Sequence, residues 1–190
     1  MSDSTSDDTH ALTQLLHRWQ DGDVVAREEL MALVYRRVRA IARQSLMQHA
    51  QATLTPTELA HEALIRLLGS DSDWANRKHF FHVVAQATRQ VIVDHARRRL
   101  SDKRGQGQAA LPLSQVPDVP GGGPDEDVVR VDEALAALAL QDARQAQAVE
   151  LSYFGGFSRE EIGAALDVSL ATVDRDLRFA RAWLKEALSP

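Results

Sequence analysis

The sequence predicts an all-α protein of two small helical domains joined by a flexible linker, the second ending in a helix-turn-helix. Three observations predict this. Apolar residues recur at helical spacing along almost the whole chain, and strand-like alternation is nearly absent. The stretch GQGQAALPLSQVPDVPGGGP, residues 105–124, has the composition of a linker and no helical period. Near the C-terminus, two short capped helical patterns flank a tight turn. The boundaries that follow are a disordered tail at 1–9, a first domain at 10–104, the linker at 105–124 and a second domain at 125–190. A linker of about 20 residues extends to roughly 65 Å, enough to set two modules several turns of duplex apart.

Composition narrows the function classes. With 190 residues, 44% of them hydrophobic, the chain can bury a real core. It has no cysteine, which excludes a disulfide framework and any thiolate metal site. The start MSDSTSDDTH is acidic and polar, unlike a signal peptide, and no apolar run approaches the ~20 residues that span a bilayer. The expectation is a cytoplasmic protein without membrane attachment. The net charge of −5 is unevenly spread. Residues 77–104 hold eight Lys/Arg against two Asp, a local balance of +6; residues 1–76 balance to −4 and residues 105–190 to −7. Such segregation suggests one surface for nucleic acid and an acidic surface for another partner.

In chain order, His10 to Trp19 and Ala26 to Met47 read as helices separated by Asp21-Gly22-Asp23. In the second, Leu30, Leu33, Val34, Val38 and Ile41 form the expected buried stripe, with Arg36, Arg37, Arg39 and Arg43 outward. LTPTELAHEALIRLL, Leu54 to Leu68, follows. Thr55 as N-cap, Pro56 at the first helical position and Glu58 three residues after the cap make a helix start. Leu59, Ala63 and Leu67 face the core, and Glu58, Glu62 and Arg66 line one exposed face at i, i+4 spacing. By itself this is an ordinary surface charge ladder.

The polar loop Gly69 to Lys78 holds Trp74, Asn76 and Arg77. A long helix, His79 to about Leu100, carries Phe80, Val83, Val84, Ala87, Val91 and Val93 as apolar residues and runs into Asp94-His95-Ala96-Arg97-Arg98-Arg99. A basic helix end beside an aromatic-bearing loop suits a partly single-stranded duplex: arginines track phosphates while the loop holds an unstacked base. The plainer alternative is a solvated helix C-terminus, where basic residues favour the dipole, but four of them lie beyond its reach.

After the linker, Asp125 to Leu140 and Asp142 to Phe154 read as two supporting helices, with Asp142 capping the second. The final pattern is GGFSREEIGAALDVSLATVDRDLRFARAWLKEAL, Gly156 to Leu188. Ser158 and Glu161 form a capping box, and Ile162 and Leu166 share a face. The chain turns through Asp167-Val168-Ser169, where Ser169 can cap a helix with Val173, Leu177 and Ala180 inside. Thr172, Arg175, Arg178, Arg181 and Lys185 lie on its other face. A basic second helix of this kind enters a major groove; the alternative is an αα-hairpin with a solvated cationic face.

Seven histidines raise the question of metal, and no HExxH or similar ligand spacing answers it. Nor is there a Gly-rich phosphate loop, a nucleophile-base order or a carboxylate pair in an apolar setting. The sequence supports neither an enzyme nor a cofactor.

The order of an acidic-faced helix, a basic helix, a Gly/Pro linker and a helix-turn-helix resembles the extracytoplasmic-function (ECF) class of bacterial sigma-70 factors over nearly the whole chain. LTPTELAHEALIRLL resembles the family's region 2.2, FFHVVAQATRQVIVDHARRR its regions 2.3 and 2.4, and VELSYFGGFSREEIGAALDVSLATVDRDLRFARAWL its region 4. The resemblance is closest to a subgroup with this Thr-Pro-Thr segment. It implies that Glu58, Glu62 and Arg66 bind the β′ coiled coil of RNA polymerase core, with the β flap as a second contact. Trp74, Asn76, Arg77, Lys78, Arg89, Gln90, Asp94, His95, Arg97, Arg98 and Arg99 would bind and open the minus-10 element. Ser169, Thr172, Arg175 and Arg178 would meet the minus-35 element, with Arg181 and Lys185 on phosphates. Asp174 and Asp176 stand where relatives often carry basic residues; either could accept from cytosine N4 or favour the helix N-terminus.

Typical members place an acidic Asp-Ala-Glu-Asp run where this chain has Thr55-Pro56-Thr57-Glu58. Phosphorylation of Thr57 or Thr55 by a Ser/Thr kinase would restore about −1.5 to −2 charge at a helix N-terminus. A kinase or an anti-sigma factor is therefore an expected regulator, and the free protein an expected monomer. The competing function classes are a stand-alone helix-turn-helix regulator that does not bind polymerase, which needs dimerisation, and a helical adaptor with no DNA role.

Overall fold

The 3.6-residue period becomes helix throughout. The computed structural model describes residues 14–15, 17–19, 21–47, 55–69, 77–105 and 124–189, and among these the regular structure is entirely α-helical. The helices are α1 (Val24–Met47), α2 (Pro56–Gly69), α3 (Arg77–Gly105), α4 (Pro124–Gln141), α5 (Ala143–Tyr153), α6 (Arg159–Leu166) and α7 (Leu170–Ala187). Residues 14–15 and 17–19 are also helical. The tail at 1–9 and most of the linker, 106–123, lie outside the described residues.

Local chemistry starts several of the elements. Asp23 opens α1, its Oδ1 accepting from the Val25 and Ala26 amides at 3.0 and 3.1 Å. Thr55 and Glu58 form a full capping box on α2: Glu58 N–H donates to Thr55 Oγ1 at 3.2 Å, and Thr55 N–H donates to Glu58 Oε2 at 2.7 Å. Asp142 caps α5 through the Gln145 amide. Helix α3 is longer than expected at both ends: it takes in Arg77 and Lys78 and continues to Gly105.

The buried stripe of α1 is Leu30, Leu33, Val34 and Val38, with Ile41 only half-buried. It packs on α2, which contributes Leu59, Ala60, Ala63 and Leu67. Helix α3 lies over both and is buried on a second side as well, against α4, α5 and α6. Its apolar arc is accordingly broad: Phe80, Phe81, Val84, Ala85, Val91 and Ile92 are all less than a tenth exposed because two covers share them.

One hydrophobic cluster therefore runs from α1 to α7. Its bridge is aromatic. Phe80 and Phe81 meet edge-on at 6.2 Å between ring centroids, and Phe81 meets Phe157 at 4.5 Å and 80°. The guanidinium of Arg37 lies 5.0 Å from the centre of the Phe157 ring and donates to Glu161 at 3.1 Å. Arg37 thus does not point to solvent as the sequence suggested; it turns toward α6, because a fully buried carboxylate there has to be paired.

Two outcomes follow from this shared core. Phe81→Ala removes the central ring of the bridge and should cost about 3–5 kcal/mol. The segments on either side should lose structure in one transition. Thermal unfolding followed separately by Trp19 and Trp183 fluorescence in single-tryptophan variants checks this; two distinct midpoints would contradict it.

Candidate nucleic-acid interface

The C-terminal motif is built by caps. Ser158 Oγ accepts from the Glu161 amide at 3.2 Å, and Glu161 Oε2 accepts from the Ser158 amide at 2.7 Å. Helix α6 ends at Asp167, which adopts a left-handed conformation at φ 60, a geometry that aspartate tolerates better than most residues. The turn is tight because Gly163 has no side chain: a Cβ there would stand 2.9 Å from the Val168 carbonyl oxygen. Ser169 then caps α7 through the Thr172 amide at 3.3 Å and also bonds the Thr172 hydroxyl at 3.0 Å.

Val173, Leu177 and Ala180 are buried, as their spacing predicts. Arg175, Arg178 and Lys185 are exposed on the opposite side of α7, and among the described residues no ion pair holds them. Arg181 is exposed but engaged: its Nε donates to the Tyr153 hydroxyl at 3.1 Å, and its guanidinium lies 5.9 Å from that ring's centre. The exposed face also carries Phe179, half uncovered, which the sequence reading did not single out.

The two aspartates of α7 have structural duties. Asp176 is 1% exposed and accepts from Arg144 Nε of α5 at 2.7 Å. It faces the motif's interior, so the expectation that it could meet a base is corrected. Asp174 pairs with Arg159 at the start of α6 at 2.8 Å. Asp174 thus ties the two helices of the motif together, and Asp176 ties α7 to the supporting helix α5. The Arg144–Asp176 pair joins residues far apart in sequence, so periodicity could not reveal it.

On α2, Glu58 is exposed and bound in the capping box, where the Thr55 amide and then its hydroxyl hold the carboxyl below the usual range. Glu62 and Arg66 are less free than expected. Glu62 pairs with Arg66 at 2.7 Å and with His95 Nε2 of α3 at 2.7 Å, and Arg66 reaches Asp94 at 2.8 Å. A four-residue network thus ties the face expected to meet polymerase to the helix expected to meet DNA. Beside it Ile65 is 70% exposed. It stands off the Leu59, Ala63, Leu67 stripe, and that offset was the signal available in the sequence.

The residues expected at the minus-10 element divide. Trp74 and Asn76 lie outside the described residues, and for Arg77 and Lys78 only the helical backbone is described. Gln90 and Arg98 are exposed. Asp94 and His95 are held by α2. Arg89, Arg97 and Arg99 bond to carboxylates beyond the linker: Arg89 and Arg97 to Asp132, Arg89 also to Glu150, and Arg99 to Asp125. Among the described residues no cluster of His, Cys, Asp or Glu could hold a metal ion, and no helix is long and apolar enough to cross a membrane.

A model of the ECF sigma factor family matches residues 9–190, nearly the whole chain. Neither a curated protein nor a solved structure matches significantly.

Removing Arg144 strands a buried carboxylate, so Arg144→Ala should destabilise the protein, read as a lowered urea midpoint. Asp176→Asn should lower stability without altering base preference. The Glu62 carboxyl is pushed up by burial, but His95 and then Arg66 outweigh this and hold it below its ordinary range. Its stabilisation is therefore present above the ordinary carboxylate pKa and lost as pH falls through the lower folded value. Acid unfolding of Glu62→Gln should accordingly show a shallower loss below about pH 4 than the parent protein.

Proposed function

Because the chain belongs to the ECF sigma factor family, whose members are non-enzymatic transcription factors acting with RNA polymerase core at promoters, we propose how its own residues divide that work. Residues 10–104 form a unit that meets polymerase and the minus-10 element, residues 125–190 a unit for the minus-35 element, and residues 105–124 the tether between them. The observation that carries the reading is the capped pair α6 and α7, with Arg175, Arg178 and Lys185 unpaired among the described residues on one exposed side. Thr172, Arg175 and Arg178 enter the major groove, with Ser169 at the helix start and Arg181 and Lys185 on phosphates.

Polymerase core docks on α2 through Glu58, Glu62 and Arg66 at the β′ coiled coil, with Ile65 as the apolar anchor among the charges. The β flap meets the second unit. Trp74, Asn76, Arg77 and Lys78, with Arg89, Gln90, Asp94, His95, Arg97, Arg98 and Arg99, bind and open the minus-10 element. The free protein is a monomer, and it reads the promoters of one regulon.

A Ser/Thr kinase or an anti-sigma factor controls the polymerase contact. Of the two threonines, Thr57 suits phosphorylation better. The Thr55 hydroxyl donates to Glu58 at 2.9 Å and accepts from the Glu58 amide, so a phosphate on Thr55 would break the cap and face a carboxylate. A phosphate on Thr57, in the first turn of α2, adds charge where the helix dipole favours it.

The test is binding of the full-length protein to bacterial core polymerase at one fixed salt concentration, unmodified and phosphorylated on Thr57. Phosphorylation should strengthen binding, and Ile65→Ala should weaken it about tenfold, the effect of losing one interface anchor. Full activity of an unphosphorylated Thr55→Ala, Thr57→Ala double variant would remove the kinase from the account. No core binding in any form would remove the sigma-factor assignment of these residues.

A further inference from the structure

Resting on that reading, we propose that the C-terminal helices act as an intramolecular competitor for DNA: Asp125, Asp132 and Glu150 occupy the arginines of α3 that would otherwise neutralise promoter phosphates.

At Arg89 the contact is chemically exclusive. Arg89 Nε donates to Asp132 Oδ1 at 2.8 Å, its Nη1 to Glu150 Oε1 at 3.3 Å and its Nη2 to the Asp132 carbonyl at 3.0 Å. All three nitrogens are engaged, and a bidentate grip on a phosphate needs two of them. Arg97 Nη2 donates to the other Asp132 oxygen at 2.9 Å, and Arg99 Nε lies 3.3 Å from Asp125. Carboxylates thus stand where phosphate oxygens would stand. The wider charge pattern agrees: the +6 of residues 77–104 meets part of the −7 of residues 105–190.

The lock is built to open. Burial pushes the Glu150 carboxyl up, against the opposing pull of Arg89. Taking such charges out of water roughly cancels their attraction. The ion pairs therefore set which surface is covered, while the Phe81–Phe157 contact and its neighbours supply the closing force. An open form frees Arg89, Arg97 and Arg99 together. Polymerase binding that separates α3 from α4 would release the DNA surface only on the enzyme, which keeps the free protein from occupying promoters.

The chain has no cysteine, so Ala40→Cys and Leu140→Cys, both exposed, give an energy-transfer pair across the contact. In that background, Asp132→Asn is compared with the parent protein. Binding of a fluorescein-labelled 20-nucleotide single strand is measured by anisotropy on matching proteins without dyes. Asp132→Asn should lower transfer efficiency, bind the strand about tenfold tighter at 50 mM salt, and steepen the salt dependence by roughly two released counterions, about 0.7 for each of the three freed arginines. Glu150→Gln, whose amide resembles the protonated acid that burial favours, should shift both readouts the same way and decides the matter if Asp132→Asn does not fold.

Glu133→Gln, an exposed neighbour on α4, controls for simple loss of negative charge. An equal gain in that control, or no gain in either interface variant, overturns the lock. Promoter binding by parent protein plus core polymerase is scored separately. If it succeeds while the variants show no gain, the lock falls and the sigma-factor reading stands; if it fails while they bind tighter, the reverse holds.

Discussion

Helix α3 is apolar over an arc too broad for one neighbouring layer to cover, and water tolerates no part of it. That constraint organises the molecule. One part is covered by α1 and α2, which are adjacent in sequence and have stripes of ordinary helical spacing. The other can be covered only by segments beyond the linker, so Phe81 is paired with Phe157 and the two segments share one cluster. A helix with both parts covered has little freedom to slide, and its polar residues are fixed in register against α2 on one flank and α4 on the other.

The polar pairing follows from that register. Once Phe81 and Phe157 meet, Glu161 is shut from solvent and has to find a cation; Arg37, on the far segment, is the one within reach. The same closure brings Arg89 between Asp132 and Glu150. None of these pairs is a strong source of stability, since desolvation offsets most of the attraction. They act through direction: a mismatched approach would leave several buried charges unpaired, at a cost of several kcal/mol each. Charge selects the arrangement that burial then holds.

The motif at the C-terminus shows a different division of labour. Its exposed Arg175, Arg178 and Lys185 have no ion pair among the described residues, because its aspartates are paired elsewhere: buried Asp176 with Arg144, and half-exposed Asp174 with Arg159. A recognition helix has to present cations to DNA without letting nearby carboxylates neutralise them. Turning Asp176 inward achieves this within one helix. On α2 the opposite holds: the Glu62, Arg66, His95 and Asp94 network spends surface charge on fixing α3, leaving Glu58 and Ile65 as the more open groups on that face.

The sequence by itself determined the helices, their caps and the buried stripes of α1, α2 and α7, because each depends on residues within a turn or two. Ser158 with Glu161, Ser169 with Thr172 and Thr55 with Glu58 are of this kind, and so was the order of segments that matches the ECF sigma factor family. The free side of α7 was legible for the same reason. Only the tertiary structure decided the partners of Arg37, Arg89, Arg97 and Asp176. Their contacts span 32 to 124 residues of chain, and a period of 3.6 says that a residue lies on a face without saying what covers it. Helix α3 shows the limit most plainly: its apolar arc takes two covers, and the second cover and the carboxylates it carries emerge only when the chain is folded.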